Sequence, residues 1–418
     1  MHHHTTLPDL IRVEKEGDHH GLDDLGGEVR RGLEGLDLKL ASRASIAVAV
    51  GSRGVANLAE IVRAVVEFIA ARGAKAFIVP AMGSHGGATA GGQQEVLESY
   101  GVCEKLVGAP IRSSMEVVEL PDGGIGNRVF MDRYAHDADG VIAINRIKPH
   151  TDYHGFPESG LLKMITIGLG KHEQALEIHR RGIEGLKTRI LPTARQVLAS
   201  GHIIAGVATV EDRYDETMVV RAVKPERFET AERELLILAE RNMGRIPVTR
   251  ADVLIIDAMG KDISGVGIDT NVIGRIRVPG QEEPSAPHFT SVVVSDLTDA
   301  SHGNAIGVGL ADVVTEKLAR KINYPVTYEN VVTSSFLERG KLPVVAGTDE
   351  EAVRIALRGA AVLDWERARI VRIPNTLQPH TLMVSRAVME ELSTESDLTV
   401  VGGFRPMVDA GGTFTAWQ

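Results

Sequence analysis

The sequence contains a single cysteine, Cys103, among 418 residues. One cysteine cannot close an internal disulfide, and it excludes cysteine-rich zinc and iron–sulfur sites within one chain. The N-terminal segment also lacks the apolar core of a secretory signal peptide. Because so little cysteine is typical of a reducing compartment, we expect a cytoplasmic protein.

Long hydrophobic runs and basic clusters are missing as well. No apolar stretch reaches the roughly 20 residues that span a bilayer, so no membrane partner is expected. The net charge is −10, which disfavours nucleic-acid binding because phosphate contacts need clustered lysine and arginine. Hydrophobic residues make up 43% of the chain, enough for a large core. The composition leaves homo-oligomerisation open.

Alternating strand and helix signals predict an α/β fold. SIAVAV (45–50) is typical of a buried strand, residues 55–73 have helical periodicity, and KAFIVP (75–80) is the next strand. Such a βαβ unit implies a parallel sheet. VVELPDGGIGNRVF (117–130) is typical of a hairpin around a Gly-Gly turn. Further strands are predicted at 140–145, 202–210, 251–260, 290–298 and 397–402, and further helices at 93–100, 160–168, 172–181, 185–199, 230–243, 304–322 and 349–363.

The strand and helix pattern restarts after residues 244–250. We therefore predict two α/β domains with mainly parallel sheets, an N-terminal domain over 1–247 and a C-terminal domain over 248–418. Ligands of open α/β sheets bind beyond the carboxyl ends of the strands. The loops that follow the predicted strands are thus the places to search for chemistry.

Two such loops follow the first two strands. GSRG (51–54) opens a helix, whose N-terminal N–H groups favour anions, and Arg53 suits a phosphate or carboxylate. The glycine-rich loop 81–92 carries Gly83, Ser84 and His85, and histidine titrates near neutral pH. Taken alone, GSRG is more typical of an ordinary strand–helix turn, and His85 is slightly more typical of a surface-loop histidine.

KPHTDYHGFPESGLLK (148–163) is the most unusual segment. The i, i+4 spacing of His150 and His154 suits a metal on a helix, but Pro149 before them and Gly155 after them oppose a helix. Lys163 lies in the apolar run LLKMITI. A buried ammonium costs several kcal/mol unless it is paired or neutralised. An uncharged lysine suits covalent chemistry, whereas the plainer alternative is a lysine that reaches the surface from an amphipathic helix.

Two more groups of residues complete the candidates. His179 lies 16 residues beyond Lys163, and on one continuous helix the two would face nearly opposite sides. Gly168 and Gly170 interrupt the segment, so the two residues are expected on separate elements that can converge. The loop 260–275 gathers polar residues among glycines, which is more typical of a site than of a connection: Lys261, Asp262, Asp269, Asn271 and Arg275.

PAMGSHGGATAGGQ, NRIKPHTDYHGFPESGLLKM and GKDISGVGIDTNVIGR together resemble, in the same order, segments of the nickel-dependent lactate racemase family. The resemblance extends over about residues 40–400 and is that of a divergent branch. It implies two α/β domains with the active site in the interdomain cleft. It also implies a nickel-pincer nucleotide, a pyridinium mononucleotide that holds nickel through a carbon and two sulfurs and is joined covalently to a lysine.

The resemblance assigns roles to individual residues. Lys163 matches the lysine that tethers the cofactor, and His179 matches the nickel ligand, with the family's separation between them. His85 and His150 match the two acid/base histidines. Because the stretch from His150 to Lys163 is about three residues longer than in lactate racemase, His154 competes with His150.

The remaining assignments concern the cofactor and the substrate. Arg53 matches a phosphate- or substrate-facing arginine, Gly83 and Ser84 belong to the cofactor loop, and the aspartate expected before the arginine is replaced by Val50. The substrate-binding matches are Lys261, Asn271 and Arg275. Glu173 or a backbone carbonyl is expected to orient the ligating histidine.

The resulting prediction is an isomerase, a racemase or epimerase of a 2-hydroxy acid, lactate-like or larger, including sugar acids. Its partners would be that small molecule and the enzymes that synthesise the cofactor. Two alternatives stay open: a zinc-dependent hydrolase built on the histidine cluster, and a non-catalytic carrier of nickel or nucleotide.

Overall fold

The computed structural model describes residues 6–17, 19–51, 54–393 and 397–417. The chain divides into two compact units. We call residues 19–243 the N-terminal unit, and the residues before 19 together with those from 244 onward the C-terminal unit. No helix among the described residues is long and apolar enough to cross a membrane.

The strands in the described ranges are, in chain order, β1 (Leu10–Lys15), β2 (Ser45–Val50), β3 (Lys75–Pro80), β4 (Val117–Leu120), β5 (Val129–Asp132), β6 (Gly140–Arg146), β7 (Ile203–Glu211), β8 (Thr217–Val223), β9 (Arg250–Met259), β10 (His288–Leu297), β11 (Val313–Thr315), β12 (Val344–Ala346), β13 (Ile370–Ile373), β14 (Thr381–Ser385) and β15 (Leu398–Arg405).

The α-helices of the same ranges are α1 (Leu25–Glu34), α2 (Leu58–Ala71), α3 (Ala90–Ser99), α4 (Glu104–Val107), α5 (Arg133–His136), α6 (Leu161–Lys163), α7 (Lys171–His179), α8 (Gly182–Ala199), α9 (Phe228–Asn242), α10 (Thr270–Ile273), α11 (Glu316–Lys321), α12 (Tyr324–Ser334), α13 (Asp349–Gly359) and α14 (Arg386–Leu392). A turn of π-helix, Met164–Gly168, follows α6.

The N-terminal unit is built on a five-stranded sheet of order β3-β2-β6-β7-β8, in which only β8 runs antiparallel. Alternate residues of β2 pack into two different hydrophobic cores. Ala47 and Ala49 lie in one core, and Ile46 and Val48 lie in the other. Both faces of the sheet are therefore covered. This explains why its strands are continuous apolar runs rather than alternating patterns.

The strand order reverses the direction of the connections at the carboxyl edge of this sheet. β3 lies on one side of β2 and β6 on the other, so the loops after β2 and β6 leave in opposite directions. Gly51, which follows β2, permits close packing, because a Cβ there would meet Oδ1 of Asn145 at 2.9 Å and Cε of Met164 at 3.2 Å. This edge of the sheet thus adjoins the segment that carries Lys163.

The C-terminal unit contains an eight-stranded sheet of order β12-β11-β10-β9-β13-β14-β1-β15. The first five strands are parallel, and β14, β1 and β15 continue the sheet in antiparallel fashion. β1, whose Leu10 and Val13 are buried, pairs with β14 and β15 of this sheet. The first residues of the chain therefore belong to the C-terminal unit, whereas the predicted boundary placed residues 1–247 in one domain. The predicted α/β class with mainly parallel sheets is confirmed.

One predicted helix is wrong, and one predicted hairpin is confirmed. Residues 304–322 contain a 3-10 turn, the strand β11 and the helix α11. Gly307 has a φ of +92°, and a Cβ at Gly309 would meet the carbonyl oxygen of Glu338 at 2.0 Å, so the chain turns tightly before β11 pairs with β10 and β12. The hairpin at 117–130 is present as β4 and β5.

The packing of β7 against α6 and α9 generates a stability prediction. A Cβ at Gly206 would meet Cδ1 of Leu161 at 2.6 Å and Cζ of Phe228 at 2.7 Å. We expect Gly206→Ala to destabilise the N-terminal unit by about 1–3 kcal/mol through overpacking, measured by urea unfolding followed by far-UV circular dichroism. Gly91→Ala is the matched control, because a Cβ there meets nothing within 4 Å. A loss below about 0.5 kcal/mol for Gly206→Ala would contradict the prediction.

Candidate active site

The loop after β6 is organised around a buried carboxylate. Glu158, 2% exposed, accepts the N–H of His150 at 2.6 Å and that of Gly155 at 2.9 Å. The buried hydroxyl of Tyr153 donates to the carbonyl oxygen of Pro157 at 2.8 Å. The Tyr153 and His150 rings pack with centroids 4.6 Å apart. These contacts fold the loop onto itself and fix the position of His150.

Lys163 and His150 are in direct contact. Nζ of Lys163, at the end of α6, lies against Nε2 of His150, which is 6% exposed. The other ring nitrogen, Nδ1, accepts the N–H of Asp152 at 3.0 Å and lies 3.7 Å from Oδ2 of the same residue. The Asp152 N–H is thus the donor to an unprotonated Nδ1, and the Asp152 carboxylate places a negative charge nearby.

Burial shifts the pKa of two residues here in the direction that their predicted roles need. Burial lowers the pKa of Lys163 to about 8, although the negative charge of Asp152 opposes the shift. Burial, together with the positive charge of Lys163, lowers the pKa of His179 to about 4. At neutral pH His179 is therefore an uncharged imidazole with a lone pair available for a metal. About a tenth of Lys163 is a neutral amine at pH 7.

The segment between Lys163 and His179 is interrupted, as predicted. The π-turn follows α6, and α7 starts at Lys171, whose φ is +54°. Glu173 lies in the first turn of α7 and is exposed. Glu173 and His179 are six residues apart on α7, which corresponds to about 9 Å of rise and about 120° of rotation. The two side chains therefore point in different directions, and the expectation that Glu173 orients His179 is wrong.

The competing histidine, His154, has a different environment. Its side chain is 46% exposed, and its Nδ1 lies 3.6 Å from Oε2 of Glu158. The hydrogen bond with Glu158 raises the pKa of His154. His154 thus lies at the outer side of the loop, whereas His150 lies against Lys163.

The loop after β3 docks on the same segment. Gly83, with a φ of +62°, donates its N–H to the carbonyl oxygen of Gly168 at 3.2 Å. A Cβ there would meet Cγ2 of Ile167 at 3.1 Å. Ser84 is partly exposed and His85 is exposed. The loop that carries His85 is therefore held against the π-turn that follows Lys163, while Arg53 lies outside the described residues.

The three predicted substrate-binding residues lie in the C-terminal unit. Arg275 donates to the carbonyl oxygens of Leu310 and Phe289, both at 2.9 Å, and to Asp312 at 2.7 Å, so it braces its own unit. Lys261 donates to the carbonyl oxygen of Gly265 at 2.5 Å and to Asn330 at 3.0 Å. Asn271 is the second residue of α10. That Arg275, Lys261 and Asn271 contact the substrate stays a prediction.

A buried glutamate that sequence reasoning missed supports Lys163. Oε2 of Glu232, 1% exposed, accepts the N–H of Leu162 at 3.0 Å and thereby caps α6 from a distance. Gly160, at the capping position, makes room, because a Cβ there would meet Cδ of Glu232 at 2.4 Å. Burial raises the pKa of Glu232 to about 8. Its signal was present in the sequence, since Glu232 falls on the apolar stripe of α9 with Leu235 and Leu236.

The zinc alternative requires three ligands that include the loop histidines. Within the described ranges, one group of three His, Cys, Asp or Glu side chains is close enough to share an ion, namely His19, Asp212 and Glu216. Neither His150 nor His154 belongs to it. The geometry therefore does not favour a zinc centre in the loop after β6.

Comparisons with known proteins show which fold the chain resembles. A family model described as a domain of unknown function (DUF362) matches residues 48–226. No curated protein matches the chain by sequence. Among solved structures, the chain is similar to the lactate racemase apoprotein from Thermoanaerobacterium thermosaccharolyticum, with 14% identity, a TM-score of 0.50, and coverage of 88% of this chain and 99% of that chain. At this identity the likeness shows a lactate racemase-like fold.

The lowered pKa of Lys163 generates a prediction on reactivity. An ordinary lysine has a pKa of about 10.4. At pH 7.5 the neutral fraction of an amine with a pKa of about 8 is on the order of 200-fold larger. We expect acetylation of Lys163 by acetic anhydride, followed by peptide mass spectrometry, to rise with pH, to be half-maximal near a pKa of about 8 and to level off about one pH unit higher.

The exposed Lys75 serves as the internal reference in the same digest. Asp152→Asn is the matched variant, because the Asp152 carboxylate raises the pKa of Lys163; its removal should move the inflection below that of the wild type. An inflection near pH 10 in the wild type, or an upward move in Asp152→Asn, would show that the amine is not held as described.

Proposed function

We propose that the protein is a racemase or epimerase of a 2-hydroxy acid that uses a nickel-pincer nucleotide. The observation that carries the proposal is the group of buried side chains around Lys163, next to the carboxyl edge of the N-terminal sheet. It brings a lysine with a pKa of about 8 against His150 and within electrostatic reach of an uncharged His179. The lactate racemase-like fold and the order of the sequence motifs support the same assignment.

The residues present fit the cofactor. A lysine that is joined to a nucleotide must react as a neutral amine, and burial favours that form of Lys163. A nickel ligand must be an unprotonated imidazole, and burial favours that form of His179. Lys163 would hold the group covalently and His179 would complete the metal coordination. When bound, the group supplies an acceptor for the hydride of the substrate carbon.

Proton transfer falls to His150 and His85. We assign His150 rather than His154 as one acid/base because it is buried beside Lys163, whereas His154 is exposed and paired with Glu158. The Asp152 carboxylate, whose Oδ2 lies 3.7 Å from Nδ1 of His150, would stabilise the imidazolium that forms when His150 takes a proton. His85 would work from the other loop, as inversion requires a base and an acid on opposite faces of the substrate.

The substrate and partners follow from the same chemistry. A 2-hydroxy acid carries a carboxylate, which arginine and lysine recognise best, and Arg53, Lys261 and Arg275 are the proposed contacts together with Asn271. Gly83 and Ser84 would face the cofactor. The partners are the substrate, lactate-like or larger, and the enzymes that synthesise the cofactor. A single cysteine is consistent with cytoplasmic location.

The first test is the covalent attachment. Protein produced together with the cofactor-synthesis enzymes should gain the mass of the cofactor on the peptide that contains Lys163, because burial raises the neutral fraction of that amine. Intact-mass and peptide analysis measure it, and Lys163→Ala is the control without an acceptor. An unmodified Lys163 under these conditions would exclude the proposal.

The second test separates the histidines. With the loaded protein, His85→Ala and His150→Ala should each lower isomerisation of a chiral 2-hydroxy acid by at least about 100-fold, as expected for the loss of an acid/base group. His154→Ala should retain most activity. A loss in His154→Ala with activity kept in His150→Ala would assign the role to the other histidine. Equal rates in all three proteins, with no exchange at C2, would favour a carrier.

A further inference from the structure

A second lysine of the N-terminal unit is buried completely and has no role in the chemistry proposed above. Lys171, at the start of α7, is 0% exposed. Its Nζ donates to the carbonyl oxygen of Pro80 at 2.5 Å and to Oε1 of Gln93 at 3.0 Å, and lies 3.2 Å from Oδ2 of Asp132. An ammonium has three donors, and three oxygens surround this one.

The backbone of Lys171 is also unusual. Its φ of +54° lies in the left-handed region, which non-glycine residues adopt only where their surroundings enforce it. In this conformation Lys171 is the first residue of α7, and its amine contacts Pro80, Gln93 and Asp132.

Gln93 extends this contact to the His85 loop. Its side chain is 0% exposed, and Nε2 donates to the carbonyl oxygens of Gly83 at 2.7 Å and His85 at 3.3 Å. Because Oε1 must face the Lys171 ammonium, the amide group has one orientation, with its N–H groups toward the loop. The hydrogen bond from Lys171 thus fixes the direction in which Gln93 donates.

The other end of α7 carries His179. The helix is held against β5 by a second buried amide, since Gln174 accepts the N–H of Phe130 at 2.8 Å and donates to the carbonyl oxygen of Arg128 at 3.1 Å. A helix fixed in this way is a rigid spacer between its two ends. Lys171 at one end sets the loop of His85, and His179 is the last residue at the other.

We propose that Lys171 and Gln93 form a positioning clamp that fixes His85 to helix α7, and thereby holds His85 in place relative to His179. The consequence for catalysis rests on the proposed function. The clamp itself does not, because it is a property of the N-terminal unit. Lys171 and Gln93 are positioning residues, since they act through the backbone of His85.

The variant that tests the clamp is Gln93→Met, which keeps the side-chain length and removes both the acceptor for Lys171 and the donors to the loop. The matched control is Gln94→Met, the neighbouring glutamine, whose amide donates to Glu98 on the exposed face of α3. Lys171→Met is a harsher variant, because it leaves the buried Asp132 without its ion-pair partner. If Lys171→Met fails to fold, Gln93→Met still tests the clamp.

Hydrogen exchange of the full-length protein without cofactor gives the first readout. We expect the amides of residues 83–88 to exchange about tenfold faster in Gln93→Met, the change that corresponds to the net loss of one to two hydrogen bonds. Gln94→Met should exchange like the wild type. Unchanged exchange in Gln93→Met would overturn the clamp whether or not the protein is an isomerase.

Kinetics of the loaded protein give the second readout. Gln93→Met should retain the Lys163 adduct and lower kcat about 10- to 100-fold, as displacement of a catalytic group by about 1 Å does, with little change in KM. In a His85→Gln background, Gln93→Met should have no further effect, because the positioned group is gone. A further loss in that background would show a general structural role and overturn the link to His85. Absence of isomerase activity in the loaded wild type would reject the proposed function, and hydrogen exchange alone would then decide the clamp.

Discussion

The enclosure of the Lys163 amine against His150 is the interaction on which the site depends. It requires a short helix that ends at Lys163, and that helix starts at a glycine because the carboxyl group of Glu232 occupies the place of a capping side chain. It also requires a loop that turns His150 inward, which Glu158 achieves by accepting two backbone N–H groups. Two buried carboxyl groups thus organise the surroundings of Lys163 and His150.

The electrostatics follow from this enclosure. Desolvation disfavours charge on Lys163 and on His179, and each positive charge would further disfavour the other. Asp152 opposes both shifts, so the site is not driven fully neutral. An amine with a pKa of about 8 and an imidazole that stays uncharged can coexist near neutral pH, and this pairing suits a covalent anchor beside a metal ligand.

The sequence predicted the part of the fold that local patterns determine. The strands at 45–50, 75–80 and 140–145 were found because buried parallel strands are apolar runs between turn residues. The strand β11 was missed because VGLADVVTEKLARKI also has helical spacing, and pairing with β10 and β12 overrides that tendency. β1 was missed because its partners lie more than 360 residues away in the chain.

The same distinction applies to the site. Lys163 was noticed because a charged residue interrupts an apolar run. Glu158 resembles any polar loop residue, and the role of Gln93 depends on contacts with Gly83, His85 and Lys171 that no local pattern encodes. The choice between His150 and His154 likewise depends on the way the loop folds around Glu158, which residue spacing does not determine.

Two lysines eight residues apart show how environment separates reactivity from structure. Both are buried at their amine ends, Lys163 as the last residue of α6 and Lys171 as the first residue of α7. Lys171 has three oxygens around Nζ. Burial lowers its pKa, but the charge of Asp132 and the hydrogen bond with it oppose that shift. Lys163 instead has a ring nitrogen at Nζ, and burial lowers its pKa to about 8. The first arrangement suits a fixed support and the second suits the tethering role proposed for Lys163, so the acceptors around each nitrogen, rather than burial alone, distinguish the two lysines.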